Sequence, residues 1–471
     1  MKEDIDISRA DAPRPPSLPS GRGRSGHHRE FVVLGLICLL AFITRLAYVL
    51  TLQPRIFWYD GEQYSRLATG LVQHGVYVNA QGHPSALWPP GYPLLLASVY
   101  ALFGVNIVAV RVVQCLIGAA TVVLVHRIAR RVLDGTGSTL AALATALYPL
   151  FIYCAGAVLS VTLQVALIAG GFLLVLVAVE RRSAPAAAGA GVVGAWATLV
   201  AGSALPVFLL SVLWIAWCDG GTAERLEERS STIGQRDADD RRVMGQGAGG
   251  TTFSTPRRNR TRSVRLALAC LLPIVVIVGA WALRNEHALG HPVLVSTNGG
   301  YNLWLGNYPG VTASTGNRFE VPGMEEEAMR LGSLPGNEVT RDRAFFHRAM
   351  EYISADVPRF LRLSLSKLLN LWALYQEPMT EDRPRLNFEK LASIFSYGIL
   401  LPFALVWLFV SLPKSRVAVL VLLLFLSYSI VHAVTLSKVR FRLPLDCFVI
   451  IYGSGGVVAS VRALSRRWLA R

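Results

Sequence analysis

The sequence predicts an all-α polytopic membrane protein of about ten transmembrane helices (9–12), with amphipathic surface helices in two extracytoplasmic loops. Three observations carry this. The chain is 53% apolar with mean hydropathy +0.44; apolar runs near the length of a span recur along it; and basic residues collect in alternate connecting segments. A hydrocarbon core of about 30 Å takes about 20 residues of helix. By that measure spans fall near 31–52, 107–126, 139–156, 158–179, 187–203, 205–218, 266–283, 391–410, 417–435 and 443–461. Pro206 interrupts the fifth and sixth, which read as one broken helix or a short hairpin. Residues 91–104 are equally apolar but only 14 long, which fits an interfacial or re-entrant helix.

Net charge is +16, yet its distribution argues against a nucleic-acid partner. Of 46 Lys and Arg, 27 fall in six segments that alternate onto one side: 1–30, 127–131, 181–182, 219–265, 411–416 and 462–471. The positive-inside rule makes these cytoplasmic, with both termini inside and the loops 53–106 and 284–390 outside. The expected organisation is a disordered cytoplasmic tail (1–30) and an N-terminal transmembrane module (31–218) containing the outer loop 53–106. A cytoplasmic linker (219–265), a C-terminal module (266–461) with the outer loop 284–390, and a cytoplasmic tail (462–471) follow. The first apolar stretch lacks a small-residue cleavage pattern and reads as a span, not a signal peptide. Six Cys sit in or beside spans without metal-ligand spacing, as small core residues.

The first outer loop opens Trp58-Tyr59-Asp60-Gly61-Glu62-Gln63-Tyr64. Tyr64, Leu67, Ala68, Leu71 and Val72 have helical spacing, predicting an amphipathic helix on the outer leaflet. Asp60 with Gln63 three residues on is a capping-box pattern, so Asp60 reads either as a cap or as a catalytic carboxylate facing a cavity. The tract Gly82-His83-Pro84 to Trp88-Pro89-Pro90-Gly91-Tyr92-Pro93 is too rich in proline to be helical before Pro93. His83 is either an exposed loop residue or a sugar or phosphate contact. In the second loop, Asn298-Gly299-Gly300 signals a turn. Tyr301 and Trp304 then offer flat faces to a sugar or anchors to the interface. Glu325-Glu326-Glu327 reads as a solvated face, and Thr340 as the cap of a helix carrying Phe345, Phe346, Ala349, Met350 and Ile353. Arg45, about 10 Å down the first span, snorkels outward or meets the carboxylates above it.

Several of these residues resemble a known family. They are the Asp-containing turn after the first span, the run Trp88-Pro89-Pro90-Gly91-Tyr92-Pro93-Leu94-Leu95-Leu96-Ala97, and Tyr100-Ala101-Leu102-Phe103-Gly104. Downstream, Trp281-Ala282-Leu283-Arg284-Asn285, the segment Ser296 to Asn307, and Arg440-Phe441-Arg442-Leu443-Pro444 continue the likeness in the right order. Together they resemble the GT-C membrane glycosyltransferases, nearest the bacterial relatives of protein O-mannosyltransferases and of lipid A aminoarabinose transferases.

The resemblance implies a GT-C-like bundle in the bacterial cytoplasmic (inner) membrane. It implies an enzyme that moves a hexosyl or pentosyl sugar from a polyprenyl-phosphate carrier to a glycolipid, polysaccharide or protein hydroxyl, with inversion. On that reading Asp60 is the general base, with Glu62 as second choice. The outward cations Arg284, Lys367, Lys438, Arg440 and Arg442 are candidates for the donor phosphate. His83, Tyr59, Tyr301 and Trp304 are candidates for sugar or acceptor. The resemblance fixes no cofactor, and a divalent metal, held by Asp60 if used, is left open. Three departures stand out: Gly61 separates the two acids, Val161 follows Ser160 where relatives often have Glu, and Ser203-Ala204-Leu205-Pro206 lacks an Arg. The competing readings are a lipid or glycan transporter or flippase, expected to carry ionisable residues at mid-membrane, and a non-catalytic GT-C-like member in envelope assembly.

Overall fold

The computed structural model describes residues 22–79, 81–218, 260–314, 319, 321–374 and 391–469. The expected tail 1–30 lies mostly outside the described residues, and so does the expected linker 219–265. Among the described residues the chain is helical, and the β pairing is one isolated bridge, Val78 with Pro84. The helices are α1 (Arg22–Leu50), α2 (Tyr59–His74), α3 (Gly91–Phe103), α4 (Ile107–Ala129), α5 (Gly135–Leu147), α6 (Pro149–Gly156), α7 (Val161–Glu180), α8 (Ala184–Val200) and α9 (Ala204–Trp217). They continue as α10 (Arg260–Leu289), α11 (Gly299–Asn307), α12 (Met324–Gly332), α13 (Glu338–Ala355), α14 (Val357–Leu371), α15 (Ile399–Ser411), α16 (Arg416–Val434) and α17 (Val439–Leu469).

Among the described residues seven helices are long and apolar enough to cross a membrane, and α5 with α6, bent by 43°, makes an eighth. The chain is thus a multi-pass membrane protein. Two expected spans are the shorter helices α8 and α9, of 17 and 14 residues, which fall below the length of a straight span. They form a hairpin: Phe208 near the start of α9 packs back on Gly194 near the end of α8. The turn is at 201–203, just ahead of Pro206. Small residues let α8 press against α10, where Gly191 meets the Cys270 carbonyl so closely that a Cβ would clash.

The span expected at 139–156 is broken because Pro149 has no N–H to continue α5, and Tyr148 before it is extended. The break strands the last carbonyls of α5. Arg45 caps them: its guanidinium donates to Thr145 and Ala146 at 3.1 and 2.9 Å. Arg45 therefore neither snorkels nor meets the outer carboxylates. Gly118 leaves the room its side chain needs.

One buried core runs from Tyr64 and Tyr92 through α7 to Phe448 and Tyr452, joining both halves of the chain. At one end of the bundle Glu30 pairs with Arg130, Arg131 with Glu180, and Asp134 with Arg462, so α1 begins where α17 finishes. The opposite end carries a second, smaller core of Trp304, Tyr308, Met324, Phe345 and Ala349. Two local expectations change there. The α13 cap is Asn337, which accepts from the Val339 and Thr340 N–H groups, rather than Thr340. Glu327 turns inward to Arg348 and the Tyr352 hydroxyl, each at 2.6 Å, while Glu325 and Glu326 stay exposed.

Candidate active site

The first-loop helix α2 starts at Tyr59, and its N-cap Trp58 makes no side-chain cap bond. Asp60 thus lies inside the first turn and is not the cap. Its carboxylate, 14% exposed, reaches Arg440 Nη1 at 2.8 Å; Arg440 is 26% exposed. This pair joins the loop 53–106 to the first turn of α17, 380 residues away in sequence. The Arg440 guanidinium also lies over the Phe441 ring.

Polar side chains buried in α4 fix the approach to Asp60. Arg111 donates to Gly156, Gln53 and Arg55 carbonyls at 2.7–2.9 Å. One turn on, Gln114 donates to Ala155 and Ala157 and accepts from the Tyr92 hydroxyl. α4 therefore clamps the α1–α2 turn and the α6–α7 loop together, and α2 enters between them. Tyr64 packs edge-on against Trp88 and Tyr92. Burial, then the nearby Asp60, pushes the Tyr64 hydroxyl pKa up to about 12. The expected apolar stripe of α2 thus faces protein at Tyr64, Leu67 and Ala68, while Val72 is exposed.

The clamp explains Gly61. A Cβ there would sit 2.5 Å from the Val158 carbonyl oxygen and 2.8 Å from Ile56 Cγ2. Neighbouring acids at 60 and 61 are therefore sterically barred, whatever their chemical merit. Gly61→Ala is expected to cost about 1–3 kcal/mol through overpacking, read as a lower melting temperature; a melt equal to the parent's would show that Val158 gives way freely.

On the other side, the turn ahead of Arg440 is held by the second loop. Lys367, only 2% exposed, donates to the Thr435 carbonyl at 2.7 Å. Asn307 donates to Val434 at 2.9 Å, and His432 stacks on Phe441 with ring centroids 4.6 Å apart. Burial, then the Arg359 charge, lowers the Lys367 pKa to about 7. Below that pH the lysine is charged both folded and unfolded, and the penalty is fully present. Between about 7 and its ordinary value only the unfolded chain keeps the proton, so stability rises with pH across that window. Lys367→Met is expected to flatten this rise in thermal melts taken between pH ~7 and ~10; an unchanged slope would assign it elsewhere.

The remaining candidates separate. Glu62 is exposed and points to Arg66, away from Asp60. Tyr59 is 69% exposed and close enough to Tyr301 to raise its pKa, after burial, so the two loops meet there. Trp304 is wholly enclosed among Tyr301, Tyr308 and Phe345, with no open face for a sugar. His83 is exposed. Arg284 donates to the Tyr77 and Ser85 carbonyls and stacks on Tyr77 and Trp281, binding the two loops together. Arg442 is fully buried, paired with Asp446 at 3.0 Å, bonded to the Leu371 and Ala373 carbonyls, and set over the Tyr397 ring. Lys438 donates to the Ser314 carbonyl. Among the described residues no three His, Cys, Asp or Glu side chains converge as a metal site, and the Asp60 carboxylate is taken by a guanidinium.

Three functional-end residues went unread in the sequence. Glu338 accepts from Ser85 Oγ, the Ala86 N–H and Thr297 Oγ1, tying both loops through one carboxylate; its sequence context carries no signal of this. Arg111 and Asp446 were detectable in principle, as ionisable residues inside apolar spans.

Residues 87–230 match the family model of dolichyl-phosphate-mannose-protein mannosyltransferases, a segment that begins beyond Asp60 and includes α3 to α9. A search of curated proteins finds no matching sequence. Among solved structures, the chain is similar to the archaeal oligosaccharyltransferase AglB from Archaeoglobus fulgidus, in complex with an inhibitory peptide and a dolichol-phosphate. Identity is 14% and the TM-score 0.51, over 94% of this chain and 52% of AglB, so the chain spans about half the length of that protein. It also aligns with ArnT from Cupriavidus metallidurans bound to undecaprenyl phosphate, at 15% identity and TM-score 0.35, over 91% of this chain and 77% of ArnT. The chain is a multi-pass membrane protein whose fold is similar to that of AglB, and its residues 87–230 match the mannosyltransferase family model.

Proposed function

We propose that the protein is an integral membrane glycosyltransferase that moves a sugar from a polyprenyl-phosphate donor to an acceptor hydroxyl, inverting the anomeric centre. The observation that carries this reading is the partly buried Asp60–Arg440 pair, set where the first outer loop meets the start of the last span. A carboxylate beside a cation is what such a transfer needs. The acceptor hydroxyl gives its proton to Asp60 as its oxygen attacks the anomeric carbon. The bond from that carbon to the phosphate oxygen breaks on the opposite face, and polyprenyl phosphate leaves. Arg440, with Lys438 two residues before it, meets the growing phosphate charge. The donor phosphate competes with Asp60 for Arg440, so donor binding frees the base. Glu62, Arg442 and Trp304 have no direct part in this scheme, and Lys367 and Arg284 act by holding the loops. Loops 53–106 and 284–390 face the outside of a bacterial inner membrane, with both termini cytoplasmic.

The transporter reading draws less support. Arg45, Arg111, Arg442 and Asp446 are ionisable groups within the spans, but each is tied to carbonyls or to a partner. A transfer assay with a radiolabelled lipid-linked sugar and membranes carrying Asp60→Asn tests the proposal; undiminished transfer would remove Asp60 from the mechanism.

A further inference from the structure

We propose that the groove between residues 311–314 and α14 binds the phosphate headgroup of a membrane lipid, at a site separate from the Asp60–Arg440 pair. The groove has a volume of about 660 Å³, and none of its lining residues is acidic. Arg359 and Arg362, three apart on α14, share its helical wall with Ser366 and Asn370. Arg359 is anchored, donating to the Asn307 and Tyr308 carbonyls, which holds its guanidinium in place. Arg362 is exposed and able to swing over a ligand. Guanidinium groups with hydroxyl and amide neighbours suit a phosphate.

The same helix argues that the phosphate is lipid-borne. Leu361, Leu365 and Leu369 form an exposed apolar stripe, 57–66% accessible, at i, i+4 spacing. Leu369 belongs both to that stripe and to the groove wall. The cationic groove therefore runs into an apolar surface without a polar rim between them. A free anion would use only the first; a lipid phosphate uses both.

The test uses the full chain in phosphatidylcholine nanodiscs, with dioctanoyl phosphatidic acid and inorganic phosphate as separate probes, read by intrinsic fluorescence or microscale thermophoresis. Arg362→Gln is expected to weaken phosphatidic acid binding about tenfold, the loss of one charge-assisted contact. Arg343→Gln, an exposed arginine on α13, should leave it unchanged. Inorganic phosphate should bind far more weakly than the lipid. Equal affinity of Arg362→Gln and parent, or equal loss in Arg343→Gln, overturns the site; inorganic phosphate binding as tightly as the lipid overturns its lipid origin. Asp60→Asn should retain phosphatidic acid binding, which keeps this result independent of the catalytic reading.

Discussion

Asp60→Asn is expected to lower sugar transfer by about 10²- to 10⁴-fold, the usual worth of a positioned general base, with little change in melting temperature. Asparagine keeps an oxygen for Arg440 but cannot take the acceptor proton. The pair is partly open to water, so Arg440 can be solvated once the charge is gone. The same substitution should leave donor affinity near or above that of the parent, because the phosphate no longer competes with a carboxylate. Single-turnover transfer and donor binding, measured together, check this. A fall in both binding and melting would mean that Asp60 only props up α17.

The largest effect on stability is expected six residues beyond Arg440. Asp446→Ala should cost about 3–5 kcal/mol, the cost of leaving one member of a buried ion pair uncompensated. Arg442 and Asp446 are both essentially inaccessible, and Asp446 also accepts from the Tyr148 hydroxyl at 2.8 Å. With its partner gone, the Arg442 guanidinium keeps only the Leu371 and Ala373 carbonyls and the Tyr397 face. Removing both charges, in Arg442→Met with Asp446→Leu, should recover part of the loss, since an apolar pair needs no desolvation. Thermal melts of the parent and the two variants decide it. If Asp446→Ala melts with the parent, water reaches the pair and the network is not structural. Arg440→Gln should behave oppositely, sparing the melt while weakening the donor. Two arginines that look alike in the sequence thus separate into one for the ligand and one for the fold.

That separation shows where reading the sequence stops. Most span positions followed from hydropathy, because each helix must satisfy its own backbone in lipid whatever its neighbours do, while the stretches expected at 187–203 and 205–218 fold as helices of 17 and 14 residues. The shortness of residues 91–104 and the punctuation at Pro206 were equally visible, being local chain properties. The buried role of Arg442 was not, although its i, i+4 spacing to Asp446 is written in the chain. Which face of α17 is enclosed depends on α5, α15 and the loop after α14.

Gly61 makes the same point at the site itself. As sequence it is a gap in an acid pair; in three dimensions it is the contact that lets α2 lie under Val158. Hydropathy, length and charge placement, which act through solvent and are fixed residue by residue, determined that this chain is a many-span helical membrane protein and where its helices run. Only the tertiary structure decided that Asp60 meets Arg440, that Arg45 caps a broken helix, and that Glu338 ties the loops together. Those partners lie from 41 to 380 residues apart, and no local property of a chain encodes which distant groups its packing will bring within a hydrogen bond.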